Sequence, residues 1–228
     1  DTTTDLAAAR SFTEPAGGAP HPHVQLARLA DAAFEKHSKL SKARVLNVGC
    51  GAGRAALELT ATWPEVMGSD FTARVLQPAY AMIERGIAAF SVVNSKGERE
   101  QVVALGKDYP DWNATRERAK FYQSDPANLH AHMTAFDMVV AFDINAKVTT
   151  YNPAAIAPHL LSRAKAGGLV MFVEPATDAV VPVATVLESL EGKCEVVAEP
   201  ATVDFFVSQL DQNESAVTPF SVVVVRKL

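Results

Sequence analysis

At residues 45–53 the chain reads Val45-Leu46-Asn47-Val48-Gly49-Cys50-Gly51-Ala52-Gly53. The short apolar run, rich in β-branched residues, predicts a buried strand, and the glycines after it predict a tight turn. Glycines let a ligand approach the backbone where a side chain would clash. Residues 54–61, rich in Ala, Leu and Glu, then predict a helix, whose first N–H groups would face polar or anionic ligand atoms.

An acidic residue, Asp70, ends the next predicted strand at residues 65–70. Strand, glycine-rich turn, helix, strand and acid in this order form a βαβ opening, which implies parallel strands. An acid at the tip of the second strand lies beside the turn, where it can accept hydrogen bonds from both hydroxyls of a ribose. Thr72 is then predicted to cap a helix at residues 73–85.

The spacing of the glycines separates classes of nucleotide-binding protein. Glycines at 49, 51 and 53 give Gly-x-Gly-x-Gly, whereas the dinucleotide fingerprint is Gly-x-Gly-x-x-Gly. No Lys-Ser/Thr pair follows the turn, which argues against a P-loop. The spacing of the glycines likewise argues against a dinucleotide-dependent dehydrogenase.

The composition is that of a globular protein. The chain has 228 residues, of which 48% are hydrophobic and 21% charged, and its formal net charge is −5. An acidic balance argues against a general nucleic-acid partner, and no apolar run is long enough to span a bilayer, so no membrane partner is expected.

The metal-ligating residue types are sparse. Cys50 and Cys194 are the only cysteines, too few for a disulfide framework or a four-cysteine metal site, so a reducing, cytoplasmic compartment is expected. His21 and His23 open a predicted helix and are interpreted as surface or capping residues, since no partner spacing follows them. No metal site is predicted.

The rest of the chain alternates strands and helices. Residues 1–21 are predicted to be a leader, and residues 22–228 one domain with an insertion at about 87–120, a size typical of a lid or binding loop. Within the insertion we predict a hairpin of strands 91–93 and 101–103, turning at Ser95-Lys96-Gly97, and a helix at 111–120. The remaining predictions are helices at 22–38, 153–166 and 183–190 and strands at 120–123, 136–142, 169–173, 195–198 and 221–225.

The turn resembles motif I of class I S-adenosylmethionine-dependent methyltransferases, and the resemblance extends over about residues 24–175. It implies a Rossmann-like α/β fold with a mostly parallel seven-stranded sheet, helices on both faces and a hairpin insertion. It also implies S-adenosyl-L-methionine as cofactor, with the turn near the methionine part and Asp70 on the ribose. The implied cofactor-binding residues are Asn47, Gly49, Cys50, Gly51, Gly53, Asp70, Phe71, Ser124, Asp125 and Pro126. Asn47 departs from the superfamily, which usually has an acid there. Because an amide offers no charge attraction to an ammonium or sulfonium group, weaker cofactor binding is expected.

Four segments are similar, more narrowly, to the methyltransferase domain of ovothiol synthases, the 4-mercaptohistidine N1-methyltransferase family. They are residues 44–54, 68–74, 121–129 and 136–140, together with the hairpin insertion. The resemblance implies a small-molecule substrate, the imidazole of 5-thiohistidine, and a fused or paired sulfoxide-synthase domain. The chain also has no initiating Met, and we interpret this as a sign that it is one domain of such a longer, fused protein. After Val173 the chain reads Glu174-Pro175-Ala176-Thr177-Asp178, where that family usually has an aromatic segment.

The candidates for catalysis follow from position alone. The candidate general bases are Asp143, which lies at the tip of the fourth parallel strand, Tyr151 and His159. Each of the three could instead have a structural role. Arg74 is the candidate for binding a substrate carboxylate through its forked donors, or lies on a solvated helix face. Cys50 is expected to pack rather than react.

Three functions stay open from the sequence. The first is an N-methyltransferase for a thiohistidine-type small molecule. The second is a methyltransferase for a different metabolite or a protein acceptor. The third is a non-catalytic domain of the same fold that binds the cofactor or a partner, and fold alone cannot separate them.

Overall fold

A computed structural model of the chain describes residues 12, 21–93, 98–144, 153–176, 183–209 and 214–228. Most of the predicted leader lies outside these residues, as does the predicted turn of the hairpin. The helices are α1 Pro22–His37, α2 Arg54–Leu59, α3 Gln77–Arg85, α4 Trp112–Arg118, α5 Pro153–Arg163 and α6 Val183–Ser189. The strands are β1 Arg44–Val48, β2 Glu65–Asp70, β3 Ile87–Val93, β4 Arg99–Leu105, β5 Ala119–Gln123, β6 Phe136–Phe142, β7 Ala164–Pro175, β8 Cys194–Gln209 and β9 Glu214–Lys227.

Seven of the strands form one sheet in the order β5-β2-β1-β6-β7-β9-β8. The first five pair in parallel, whereas β9 runs antiparallel to both β7 and β8. The mostly parallel seven-stranded sheet is therefore confirmed. Successive strands progress in one direction from β1 to β5 and in the other from β6 onward, so the switch point lies between β1 and β6. Open α/β sheets bind ligands at the carboxyl ends of the strands at such a point.

Hydrophobic side chains cover both faces of the sheet, as predicted. Strand β1 shows the alternation, since Val45 faces one cluster and its neighbour Leu46 the other. The first cluster includes Leu26 of α1 and Leu57 of α2, and the second includes Leu160 of α5. Helices therefore pack on both faces and leave the carboxyl ends of β1 and β6 at one edge of the sheet.

The insertion forms the predicted antiparallel hairpin, with longer strands. Strands β3 and β4 pair from Ile87↔Leu105 to Val93↔Arg99 and make a separate two-stranded sheet. Helix α4 follows, and the carboxylate of Asp111 caps it by accepting the Ala114 N–H at 3.0 Å. The ring of Phe12 lies against that of Phe90 with centroids 6.2 Å apart, so this part of the leader contacts the hairpin.

Two predicted helix boundaries are wrong. Helix α3 begins at Gln77 rather than 73, because the Thr72 N–H donates to Asp70 and residues 72–76 form a turn instead. Thr72 therefore does not cap the helix. Helix α5 ends at Arg163 rather than at 166, because the chain enters β7 at Ala164. The ammonium of Lys165 contacts the buried Asp137 carboxylate at 2.7 Å, which ties the start of β7 to β6.

The last two strands are much longer than predicted, with 16 residues in β8 and 14 in β9. The sequence pattern that predicts a strand at 195–198 breaks at Pro200, because proline has no N–H to donate to a strand ladder. The sheet accommodates this break by register shifts around Ala198 and Ala201. Among the described residues, no helix is both long and apolar enough to cross a bilayer.

Candidate cofactor site and active centre

The glycine turn after β1 is built from residues in the left-handed region. The φ angles of Gly49, Gly51 and Gly53 are +76°, +57° and +94°. A Cβ on Gly49 would collide with the Phe142 carbonyl oxygen and lie 2.7 Å from Cδ1 of Ile144. Glycine is therefore required for the turn to lie against the end of β6, at the switch point of the sheet.

Asp70 connects the turn to the end of β2. Its Oδ2 accepts the Gly51 N–H at 2.9 Å and its Oδ1 accepts the Thr72 N–H at 3.1 Å. Phe71, the next residue, exposes 54% of its surface. The structure thus places the carboxylate beside the glycine turn, with an accessible aromatic ring following it, as the sequence predicts for a ribose-binding acid.

Asn47 lies at the carboxyl end of β1 and is fully buried. Among the described residues, neither its amide nitrogen nor its amide oxygen has a hydrogen-bond partner. Its neighbours across the ladder, Gly68 and Val140, carry no polar side chain. Because buried amides are normally satisfied, this one fits a site completed by water or by a polar ligand. The side chain and the glycine turn together fit a cofactor at the switch point.

The loop after β5 is joined to the same edge of the sheet. The Ser124 N–H donates to the Asp70 carbonyl at 2.9 Å, and the Asp125 carboxylate accepts the Ala127 N–H at 2.8 Å. Pro126 is buried, and the buried Ser124 hydroxyl has no partner among the described residues. The structure therefore brings the predicted adenine-side residues next to Asp70.

Cys50 is 1% exposed, and its thiol lies 3.8 Å from the Gly51 carbonyl oxygen. A Cβ on Gly68 would approach its sulfur to 3.1 Å. The side chain is packed beneath the turn, in agreement with the expectation that it packs rather than reacts.

Asp143 follows β6 directly, across the switch point from the turn. Its φ of +53° is in the left-handed region, which Asp tolerates better than most residues. Its N–H donates to the Val173 carbonyl at 2.8 Å, which holds the residue at the end of the sheet. The side chain is therefore positioned by backbone geometry at the edge where the ligand is expected.

Glu174 is a residue that sequence reasoning missed as a member of the site. It is 1% exposed at the end of β7, and its Oε1 accepts the Ile144 N–H at 3.1 Å. This hydrogen bond holds the backbone of Ile144, whose side chain lies against Gly49. The sequence carried one signal for Glu174: an acidic residue at the end of an apolar strand, the same pattern that singles out Asp70 at the end of β2.

His159, on α5, makes its described hydrogen bonds to the loop after β5 and along its own helix. Its Nε2 accepts the Leu129 N–H at 3.1 Å and lies 3.0 Å from Nη2 of Arg163. Burial, and secondarily the Arg163 guanidinium, lowers its pKa from the ordinary value of 6.5. The structure does not bring this ring to the glycine turn and supports a structural role.

The two other candidates chosen by position are also located differently. Tyr151 lies outside the described residues. Arg74 was predicted on the second helix, but it is exposed and precedes α3 in the turn, where its carbonyl accepts the Gln77 N–H at 3.2 Å. Its role toward a substrate stays a prediction.

We expect His159→Gln to flatten the dependence of stability on pH. Because the folded-state pKa of His159 is lowered, the unfolded chain gains a proton there before the folded chain does as the pH falls below 6.5. The wild-type free energy of unfolding is therefore expected to fall as the pH drops below 6.5 toward the lowered folded-state pKa. A glutamine oxygen can still accept the Leu129 N–H, and urea unfolding of both proteins across this range measures the difference. Equal pH slopes would show that His159 contributes nothing.

Comparisons with known proteins agree with this geometry. The family described as a methyltransferase domain matches residues 21–209. No curated protein sequence matches the chain. The TehB-like S-adenosylmethionine-dependent methyltransferase of Corynebacterium glutamicum is 17% identical, with all of both chains covered and a TM-score of 0.61.

Two further solved structures are similar over the full chain. The magnesium protoporphyrin IX methyltransferase ChlM of Synechocystis, solved with S-adenosylhomocysteine, is 13% identical, with 95% of its chain covered and a TM-score of 0.63. The N-methyltransferase NodS of Bradyrhizobium japonicum, also solved with S-adenosylhomocysteine, is 14% identical, with 99% of its chain covered and a TM-score of 0.58. At these identities the likeness establishes the fold.

Proposed function

Because the chain belongs to the methyltransferase domain family, with S-adenosylmethionine as its methyl donor, we propose that it methylates a nitrogen of a small heteroaromatic molecule. The observation that carries the proposal is the switch-point site. There the glycine turn, the Asp70 carboxylate and the unsatisfied Asn47 amide lie together. The favoured acceptor is the imidazole of 5-thiohistidine, supported by the resemblance of four sequence segments to ovothiol synthases.

The proposed cofactor contacts follow from the residues present. The backbone of the glycine turn would hold the methionine part, Asp70 the ribose hydroxyls, and Phe71 one face of the adenine. Ser124 and Asp125 would lie near the adenine amine. When bound, S-adenosylmethionine supplies an electrophilic methyl group on a sulfonium.

The protein's own contribution is alignment and exclusion of water. Holding the reactants in line can supply about 7–11 kcal/mol of the barrier reduction. Phe142 and Ile144 are both buried and flank Asp143 in the chain at the switch point, and Glu174 holds the Ile144 backbone. A neutral imidazole nitrogen is nucleophilic without activation, so this arrangement suffices for the bond-forming step.

The partners and the compartment belong to the same proposal. A sulfoxide synthase, fused or paired, would supply a thiohistidine, and the cytoplasm is the expected compartment because both cysteines are free thiols.

The test is methyl transfer to 5-thiohistidine, followed by mass spectrometry of the product and by release of S-adenosylhomocysteine. We expect methylated 5-thiohistidine with the wild type, much less product from L-histidine, and none with Asp70→Ala. Methylation of another small molecule in preference would overturn the substrate and keep the enzyme. Cofactor binding without turnover on any acceptor would favour the non-catalytic alternative, which the uncharged Asn47 supports.

A further inference from the structure

The loop that follows β5 is fixed to the sheet at its first residue. The Ser124 N–H donates to the Asp70 carbonyl at 2.9 Å, at the edge where the cofactor is expected. Within the loop, the Asp125 carboxylate accepts the Ala127 N–H at 2.8 Å, and the Asp125 carbonyl accepts the Asn128 N–H at 2.8 Å. Because these bonds close a tight turn, the position of the end of the loop also affects Ser124 and Asp125.

Two side chains of α5 hold the other end of this loop at Leu129. Nε2 of His159 accepts the Leu129 N–H at 3.1 Å, and Nη2 of Arg163 donates to the Leu129 carbonyl at 3.2 Å. The same Nη2 lies 3.0 Å from Nε2 of His159, so the two side chains also contact each other. Both backbone groups of Leu129 are therefore held from one helix. We call His159 and Arg163 together the Leu129 clamp.

The Leu129 clamp requires a neutral His159 ring. A ring nitrogen that accepts a hydrogen bond carries no proton, so the ring proton of the neutral imidazole resides on Nδ1. A second proton enters at Nε2, where it faces the Leu129 N–H and the Arg163 guanidinium, which are both donors. Protonation therefore breaks the hydrogen bond to Leu129, and the positive charge of Arg163 repels the imidazolium.

Two charged groups face the His159 ring. Burial lowers the pKa of His159, the Arg163 guanidinium adds to this effect, and the Asp125 carboxylate opposes it. The ring is half-buried rather than enclosed, so it can take up a proton in the folded protein. Charged groups on the other elements packed against α5 have other partners or face solvent: Asp137 of β6, Lys165 and Glu174 of β7, and Glu188 of α6.

From these contacts, and resting on the proposed placement of Ser124 and Asp125 beside the adenine, we propose that the Leu129 clamp positions the cofactor-binding loop and makes cofactor binding depend on pH. With His159 neutral, the clamp holds the loop in place for the adenine. When His159 takes up a proton, Leu129 is released, the loop loses one of its two fixed ends, and cofactor binding weakens. His159 and Arg163 are therefore positioning residues, which act on the cofactor through the loop.

The test is calorimetric titration of the full chain with S-adenosylhomocysteine across a range of pH. We expect the wild-type Kd to be constant above pH 6.5 and to rise below it, by at most about tenfold per pH unit for one linked proton. His159→Gln keeps an acceptor for the Leu129 N–H but cannot titrate, so its Kd should stay low and lack this rise. His159→Leu removes the acceptor, and we expect binding about fivefold weaker than that of the wild type above pH 6.5, the equivalent of one hydrogen bond.

His37→Gln is the matched control. His37 ends α1, and burial, together with the charges of Lys36 and Arg226, lowers its pKa as well. Its titration is therefore linked to folding in the same direction, but its charged neighbours do not belong to the cofactor-binding loop. This variant should leave the Kd and its pH dependence unchanged.

A measurement without cofactor tests the Leu129 clamp by itself. Hydrogen exchange of the Leu129 amide, followed by NMR, should show protection that falls with pH in the wild type and stays constant in His159→Gln. Protection that does not change with pH in the wild type would overturn the clamp. A Kd with the same pH dependence in the wild type and in His159→Gln would overturn the positioning role and leave the cofactor site intact. If the wild type bound no S-adenosylhomocysteine at any pH, the proposed cofactor site would fail and the positioning role with it.

Discussion

Replacing Asp70 by alanine is expected to weaken the binding of S-adenosylhomocysteine by about 100-fold or more. The carboxylate holds the glycine turn through Gly51 and the following segment through Thr72, and it is the proposed acceptor for the ribose hydroxyls. Hydrogen bonds to a charged group contribute about 1.5–3 kcal/mol each, and about 2.8 kcal/mol corresponds to a factor of 100. Isothermal titration calorimetry measures the change.

Two further variants give this experiment its controls. Asp70→Asn keeps the shape and one acceptor oxygen but removes the charge, so we expect a Kd between those of the wild type and the alanine variant. Glu84→Ala removes an exposed acid from α3 and should leave the Kd unchanged. If Asp70→Ala binds within about threefold of the wild type, the ribose contact is assigned to the wrong residue.

Replacing Gly49 by alanine is expected to destabilise the protein by about 3 kcal/mol or more and to abolish cofactor binding. The residue has φ of +76°, where a side chain costs about 1–2 kcal/mol. The added Cβ would also collide with the Phe142 carbonyl and with Ile144. Because these are a strand end and a packed side chain, relief requires the switch point to open, and overpacking adds about 1–3 kcal/mol.

Gly192 and Gly167 provide controls with nearly the same backbone geometry. Their φ angles are +73° and +75°, and a Cβ on either would meet nothing within 4 Å. Gly192→Ala and Gly167→Ala should therefore show only the backbone cost, about 1–2 kcal/mol, with unchanged cofactor binding. Urea unfolding and calorimetry of the three variants separate the two contributions. Equal losses of stability at all three positions would show that the close approach at Gly49 is not important.

The glycine turn and Asp70 could be predicted as parts of the site because the sequence signals for them are local. One strand, one turn and one helix follow in sequence, and the acid ends the adjacent parallel strand, so Asp70 had to lie near Gly51. The glycine requirement at Gly49 also follows from the turn, although the atoms that enforce it belong to Phe142 at the end of β6 and to Ile144 just after it, about 90 residues further along the chain.

Other features could not be predicted, because they depend on contacts that the local sequence pattern does not show. The boundary of α3 is set by the Asp70 carboxylate, which holds the Thr72 N–H in a turn that helix propensity does not reveal. Sequence position could not show which way His159 faces, and its ring contacts Leu129. The contact of His23 with Phe142 joins residues far apart in the chain, so neither residue indicates it alone.

The most direct test of the central claim, that the switch point holds S-adenosylmethionine, is calorimetric titration of the wild-type chain with S-adenosylhomocysteine. We expect about one site per chain and a Kd on the order of micromolar, about 8 kcal/mol of binding free energy, with the charge missing at Asn47 keeping it from being tighter. Absence of binding would contradict the claim. It would show that the turn, Asp70 and the buried amide form a fold without a working cofactor site.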